Sequence, residues 1–119
     1  MFASTALRPS LPASDLERAR NWYADVLGLE PVDADPMGNL WYEAGGAEFL
    51  LYPSEFAGTN QATAVTLSPE DFDAAVAHLR GKGVTFQEFD YEEFKTVDGV
   101  LTAPNGDRAA WFTDSEGNI

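Results

Sequence analysis

The stretch LPASDLERARNWYADVLGLE, residues 11–30, carries the strongest structural signal in the chain. Ser14 is a natural helix N-cap, and Glu17 follows three residues later, which is the spacing of a capping box. Apolar residues recur about every 3.6 positions over residues 16–27, as they do on the buried side of a helix. Gly28 supplies the left-handed residue at which many helices end. The stretch therefore predicts a strand end, a helix and a glycine exit.

A similar pattern begins about half a chain later, at Leu67. Ser68 is the predicted N-cap there, Pro69 takes the first helical position, and Gly83 ends the helix. Similarity at this spacing indicates a duplicated supersecondary unit. Alternating, strand-like stretches surround the two helices at residues 6–11, 29–33, 39–43, 48–52, 62–67, 85–90 and 108–113.

Turn signals separate several of these stretches. Gly45-Gly46 predicts a tight hairpin, and residues 104–107 (PNGD) predict another turn. Residues 89–99 are acidic and aromatic, and they predict a long connecting loop.

The composition narrows the possible functions. The 119 residues suit one domain, here spanning 1–119. Seven basic and twenty acidic residues give a net charge of −13, which argues against nucleic acid and anionic membranes as partners and suits neutral or cationic ligands. The absence of cysteine excludes disulfides and thiolate metal sites. Because no targeting signal and no transmembrane run is present, we expect a soluble, cytoplasmic protein.

Two segments, residues 11–30 and residues 109–118 (AAWFTDSEGN), resemble the vicinal oxygen chelate superfamily of glyoxalases, bleomycin resistance proteins and dioxygenases. The resemblance implies an α+β fold in which two βαβββ modules form a curled mixed sheet around a cleft. Module one would span about residues 1–56 and module two about 60–119, with the final strand missing. Members commonly form homodimers. An unpaired sheet edge is unfavourable, so we expect the native chain to continue past Ile119.

The metal enzymes of this superfamily hold a divalent ion with four His or Glu side chains, one from each of four strands. The matching positions in this chain are Arg8, Leu50 and Ala64, and the fourth would lie beyond Ile119. None of these three side chains coordinates a cation. We therefore expect neither a metal nor another cofactor.

Strand alternation places the candidate ligand-binding residues. On the first strand Arg8 and Ser10 should face the cleft, while Leu7, Pro9 and Leu11 face a helix. The same rule sends Ala64 and Thr66 to the cleft and Val65 to a helix. With the strand aromatic residues, the candidate ligand-binding set is Arg8, Ser10, Trp41, Leu50, Tyr52, Ala64, Thr66 and Trp111. No residue is assigned a catalytic role.

Other polar residues have ordinary interpretations. The sole histidine, His78, should be a solvated residue of the second helix. Glu43 and Glu48 should lie on an exposed hairpin rim, where paired carboxylates need no catalytic role.

The leading hypothesis is a metal-free protein that binds a small organic ligand, as bleomycin resistance proteins do. Its ligand would be a cationic or aromatic compound such as an antibiotic. The alternative is a metal-dependent glyoxalase-type lyase or extradiol-type dioxygenase, whose ligands are not visible in this sequence. A metal-free enzyme that uses Arg8 and a tyrosine stays open. So does a partner-binding or sensory module, which would expose an apolar patch away from the cleft.

Overall fold

The computed structural model describes residues 1–119 and contains two four-stranded sheets. The first sheet has the spatial order β1-β4-β3-β2, in which β1 is parallel to β4 and the other pairs are antiparallel. Its strands are β1 (Ser10–Ala13), β2 (Asp33–Ala34), β3 (Leu40–Ala44) and β4 (Ala47–Pro53). Helix α1 (Leu16–Trp22) and a π-helical turn (Tyr23–Leu27) lie between β1 and β2. This half has the predicted βαβββ order.

Alternate residues of the first sheet pack against α1. This helix face of the sheet consists of Leu11, Ala13, Leu40, Tyr42, Phe49 and Leu51, which pack with Ala19 and Tyr23 of the helical segment. The ring of Tyr42 stacks on that of Phe49 with 5.0 Å between their centroids. The turn between β3 and β4 consists of Gly45 and Gly46, both with positive φ (58° and 82°), which matches the twist that a tight hairpin needs.

The second sheet is antiparallel and follows the chain in the order β5-β6-β7-β8. The second half of the chain contains helix α2 (Phe72–Gly81), followed by the strands of this sheet, which are β5 (Asp90–Tyr91), β6 (Phe94–Val97), β7 (Val100–Thr102) and β8 (Arg108–Ala109). The predicted turn at residues 104–107 connects β7 to β8, where the Gly106 amide donates to the Ala103 carbonyl. The mixed α+β class is therefore as predicted.

The two halves meet where α2 packs on the π-helical turn. Val26 packs with Leu79 and Phe86 in a small second core. The Nε2 atom of His78, an exposed residue in the last turn of α2, lies 2.9 Å from the Val26 carbonyl oxygen. His78 therefore combines solvent exposure, as predicted, with a contact between the halves. No helix in the structure is both long enough and apolar enough to cross a membrane.

The second half differs from the predicted βαβββ order in its opening strand. Residues 62–67 form no strand, and in this segment the Ala64 and Val65 amides both donate to the carbonyl of Ile119. A strand needs a neighbour along its whole length, and this segment meets only one carbonyl of the main chain. Residues 89–99, predicted as a loop, instead form most of the β5–β6 hairpin and the turn that follows.

Both helices begin slightly later than the sequence predicts. Asp15, and not Ser14, caps α1 by accepting a hydrogen bond from the Arg18 amide at 3.0 Å. Asp71, and not Ser68, caps α2 through the Ala74 amide at 3.0 Å. Ser and Asp are both good caps, so residue type alone does not decide between them. The exit at Gly28 is as predicted, with a φ of 67°.

Candidate functional site

Five of the predicted ligand-binding residues lie together on the side of the first sheet that faces away from α1. The strand registers set Leu50 beside both Ser10 and Trp41, and they set Tyr52 beside Pro12. Glu43 and Glu48 are also opposite each other across the hairpin. We call this surface the open face; it comprises Arg8, Ser10, Pro12, Trp41, Glu43, Glu48, Leu50 and Tyr52.

Arg8 is the centre of the polar contacts on the open face. Its Nε atom donates to Oε2 of Glu48 at 3.0 Å, and its guanidinium carbon lies 5.6 Å from the centre of the Trp41 ring. Both charged side chains remain more than two-fifths exposed. The guanidinium therefore joins a carboxylate and an aromatic ring at a solvent-accessible surface, an arrangement that suits recognition of a planar molecule.

A second carboxylate fixes the orientation of Trp41. The indole Nε1 donates to Oδ2 of Asp35 at 2.9 Å, and Asp35 also accepts from the Met37 and Asn39 amides. The Trp41 hydrogen bond, ahead of those from Asn39 and Met37, lowers the pKa of Asp35 against the effect of burial. Asp35 therefore stays ionised and holds the indole ring in place.

The local sequence does contain a signal for the role of Asp35. Asp followed by Pro-Met-Gly-Asn is typical of a turn in which the aspartate side chain bonds the backbone ahead of it. The ion pair between Arg8 and Glu48 joins residues 40 positions apart, and no local signal could find it.

The residues at the predicted metal positions do not fit a divalent ion. Arg8 carries a fixed positive charge, while Leu50 and Ala64 have no donor atom. Glu48, a carboxylate on the open face, is paired with Arg8. No three His, Cys, Asp or Glu side chains come together anywhere in the structure as a metal site would require.

The three remaining candidate residues lie elsewhere. Ala64 is exposed on the 62–67 segment. Thr66 and Trp111 line a cavity of about 260 Å³ between the helix face of the sheet and residues 111–119. Trp111 also packs edge-on against Phe89, with 5.5 Å between ring centres. The structure thus divides the candidate set among the open face, the cavity and the exposed 62–67 segment, because the second half does not extend the first sheet.

Residues 114–118 are held against the first helical segment by buried polar contacts that local sequence patterns do not predict. Glu116 accepts from Nε of Arg18 at 2.8 Å and from the Asp15 amide at 2.9 Å. Asp114 accepts from the Tyr23 hydroxyl at 2.6 Å and from both the amide and the side chain of Asn118. The Asp-x-x-Gly-Asn motif of residues 114–118 therefore holds this segment against the first helical segment.

These contacts shift two pKa values. Burial favours the neutral form of Glu116, but the hydrogen bonds from Arg18, the Asp15 amide and Ser115 outweigh it and lower the pKa of Glu116 to about 2. Burial, followed by the charge of Asp114, raises the pKa of Tyr23. At neutral pH the chain end therefore combines an ionised carboxylate with a neutral phenol.

Comparisons with solved structures support the fold. A member of the glyoxalase/bleomycin resistance protein/dioxygenase superfamily from Sphaerobacter thermophilus is 25% identical, with a TM-score of 0.71 over 99% of this chain and 94% of that one. A lactoylglutathione lyase from Agrobacterium tumefaciens is 20% identical, with a TM-score of 0.68 over 99% and 91% of the two chains. TnmS3, an antibiotic binding protein from a Streptomyces species, is 24% identical, with a TM-score of 0.64 over 99% and 93%.

The comparison with curated proteins finds no match for this sequence. A family-wide sequence pattern, by contrast, matches residues 5–119 and is described as the Glyoxalase/Bleomycin resistance protein/Dioxygenase superfamily. The match covers both sheets and both helices. The chain therefore belongs to the glyoxalase/bleomycin resistance protein/dioxygenase superfamily.

Proposed function

We propose that this chain is a metal-independent binding protein for a small organic ligand, which it holds on the open face of the first sheet. The observation that carries the proposal is the contact of Arg8 with both Glu48 and Trp41, at a position that the family resemblance predicts for a metal ligand. A guanidinium that already pairs with a carboxylate supplies directional hydrogen bonds and a flat surface, but no coordination to a cation.

The charges around the open face favour a neutral or cationic ligand. Glu48 compensates the charge of Arg8, whereas Glu43 opposite it has no basic partner. The chain as a whole carries a charge of −13, which attracts cations at low ionic strength. The proposed ligand is accordingly a cationic or neutral aromatic compound, and an antibiotic would fit that description.

Trp41 would provide the stacking surface for such a ligand. Its ring is fixed by Asp35, so little side-chain entropy is lost when a ligand packs against it. Leu50 beside it adds an apolar contact. Ligand pockets commonly combine apolar walls with a few fixed polar groups, and the open face has both.

We propose that the protein is a homodimer. The open face is a surface and not an enclosed pocket, since Arg8 and Ser10 are both exposed. A small ligand needs most of its own surface covered to bind tightly. A second copy laid across the open face would supply that cover.

A compound screen followed by two variants tests the proposal. Cationic, neutral and anionic aromatic compounds are screened by the shift in thermal unfolding temperature, with and without a metal chelator. The best compound should stabilise the protein equally in both conditions. Arg8→Ala and Trp41→Phe should each raise its Kd by about tenfold, corresponding to the loss of one charge-assisted or stacking contact.

Arg20→Ala is the matched control for Arg8→Ala. Arg20 lies on the exposed side of α1 and carries the same charge. Its removal should leave the Kd within about twofold of the original, since it lies off the open face. Equal losses in the two variants would contradict the proposed site, and loss of binding in the chelator would contradict metal independence.

A further inference from the structure

The cavity behind the first sheet shares only Glu48 with the open face. It lies between the helix face, the π-helical turn, residues 63–67 and residues 111–119. Leu11 and Phe49 of the sheet line it, together with Trp22 of α1 and Trp111. The residues that line it do not include Arg8, Ser10, Trp41, Leu50 or Tyr52. We propose that this cavity is a second binding site, which takes a small, mostly aromatic molecule without negative charge.

The size and composition of the cavity suit such a molecule. Its volume is about 260 Å³, and thirteen of its nineteen lining residues are hydrophobic. An apolar cavity of about 150 Å³ is already large enough for benzene, so this one has room for two linked or fused rings. Aromatic side chains on the wall offer edge and face contacts to such rings.

The electrostatics of the wall set the charge of the ligand. The lining contains Glu48 and Asp114 but no lysine, arginine or histidine. Arg8 compensates Glu48 from outside the cavity, whereas Asp114 is stabilised by four hydrogen bonds and no ion pair. An anion would therefore enter an apolar space beside an uncompensated negative charge, which is unfavourable.

The polar end of the cavity selects for a hydrogen-bond donor. Tyr23 is buried and its hydroxyl donates a hydrogen bond to Asp114 at 2.6 Å, so the phenol oxygen retains a lone pair for a second hydrogen bond. Thr63, which also lines the cavity, has a hydroxyl group. A ligand with an amine or hydroxyl group on its ring would find an acceptor here.

A pair of dyes with one skeleton tests the charge rule. N-Phenyl-1-naphthylamine is neutral and has one N–H donor, and 1-anilinonaphthalene-8-sulfonate adds a single negative charge. We expect the neutral dye to bind one per chain and the sulfonate to bind at least about tenfold more weakly. In the Trp41→Phe variant the tryptophans left are Trp22 and Trp111, which line the cavity. Their fluorescence should still be quenched by energy transfer to the neutral dye.

Two threonine variants locate the site. Thr66 and Thr85 are both exposed and lie outside helices and strands, and of the two only Thr66 lines the cavity. Thr66→Phe should fill the space and weaken binding of the neutral dye at least about tenfold, whereas Thr85→Phe should change it by less than about twofold. Trp41→Phe should leave this binding unchanged, because Trp41 lies on the open face and does not line the cavity, so the result is independent of the function proposed for the open face.

Three results would overturn the inference. One is equal binding of the two dyes to the unmodified protein. Another is equal binding of the neutral dye to the Thr66→Phe and Thr85→Phe variants. The third is loss of that binding in Trp41→Phe, which would move the dye to the open face. The comparison of dyes needs no substitution, so the inference is testable even where a variant fails to fold.

Discussion

At the scale of single residues, Glu116 is the one buried charged side chain, and it links the chain end to α1 through Arg18. Glu116→Gln removes the charge that Arg18 and the Asp15 amide contact. We expect the free energy of unfolding at neutral pH to fall by about 2 kcal/mol, the scale of hydrogen bonds to charged groups. Urea unfolding measures the difference. Glu55→Gln, at an exposed position, is the control and should change it little.

The same residue predicts a dependence on acid. Because its folded pKa is lowered to about 2, ionised Glu116 stabilises the fold above the pKa of an unfolded glutamate. That stabilisation is lost as the pH falls from the ordinary glutamate range toward 2. The thermal midpoint of the unmodified protein should therefore fall more steeply over this interval than that of Glu116→Gln. Parallel curves for the two proteins would contradict the assignment.

Residue types predict local structure well and distant contacts poorly. The sequence correctly indicates both helices and the left-handed Gly28, since each depends on neighbours in the chain. It predicts Ser14 as the cap where the structure has Asp15, because both residue types cap helices and the local sequence does not distinguish them. Ser14 instead donates to Glu116, 102 positions away, and that contact is invisible to a local pattern.

At the scale of elements, the turn between β6 and β7 is held tightly against the chain before β5. Asp98 and Gly99 both have positive φ (52° and 75°), as in the turns that fit twisted hairpins. A methyl group on Gly99 would lie 2.6 Å from Cβ of Phe86, and Arg80 of α2 donates to the Asp98 carbonyl. The Asp-Gly pair was a usable signal for this hairpin, within the stretch predicted as a loop.

Two alanine substitutions separate backbone strain from close packing at these turns. Gly106→Ala meets no atom within 4 Å, and its cost comes from its φ of 92°, about 1 kcal/mol or more. Gly99→Ala adds a clash with Phe86, so its loss in the free energy of unfolding should be larger by about 1–3 kcal/mol. Chemical denaturation of both variants tests this, and equal losses would show that the turn does not pack as described.

The segment 62–67 shows why alternation alone overpredicts strands. Its pattern is apolar at Val65 and Leu67 and polar or small between them, as in β1. Yet Leu67 is 53% exposed, and the main-chain partner of Ala64 and Val65 is the single carbonyl of Ile119. A one-residue-in-two pattern reports which side chains could share a face, but not whether a neighbouring strand is present.

At the scale of the whole molecule, the chain is less compact than its length allows. Its radius of gyration is 15.5 Å, against about 13 to 14 Å from the scaling for globular proteins of this size. Only twelve of 119 residues are buried, while Phe2, Leu7 and Val97 remain largely exposed. A second copy that covers part of this apolar surface would gain hydrophobic free energy.

Light scattering combined with size exclusion measures the consequence. The predicted result is a mass of twice 13.0 kDa, maintained on dilution through the micromolar range. A mass of 13.0 kDa throughout would contradict the homodimer and leave the open face uncovered.

The candidate site was predictable only where its residues belong to one sheet. Arg8, Ser10, Trp41, Leu50 and Tyr52 share a surface because strand alternation in one sheet sets it. Thr66 and Trp111 lie behind that sheet, since their position depends on how the two halves pack and not on alternation. Only the packing reveals that the chain has a cavity in addition to an open face.

The content of bound metal tests the central claim, that the open face binds organic ligands without a metal ion. The protein is produced with nickel, zinc, manganese and iron in the medium, and the metal per chain is measured by elemental analysis. Because Arg8, Leu50 and Ala64 occupy the positions that the family resemblance predicts for metal ligands, we predict far less than one metal ion per chain. A value near one ion per chain would contradict the account and would move the protein to the metal-dependent enzymes.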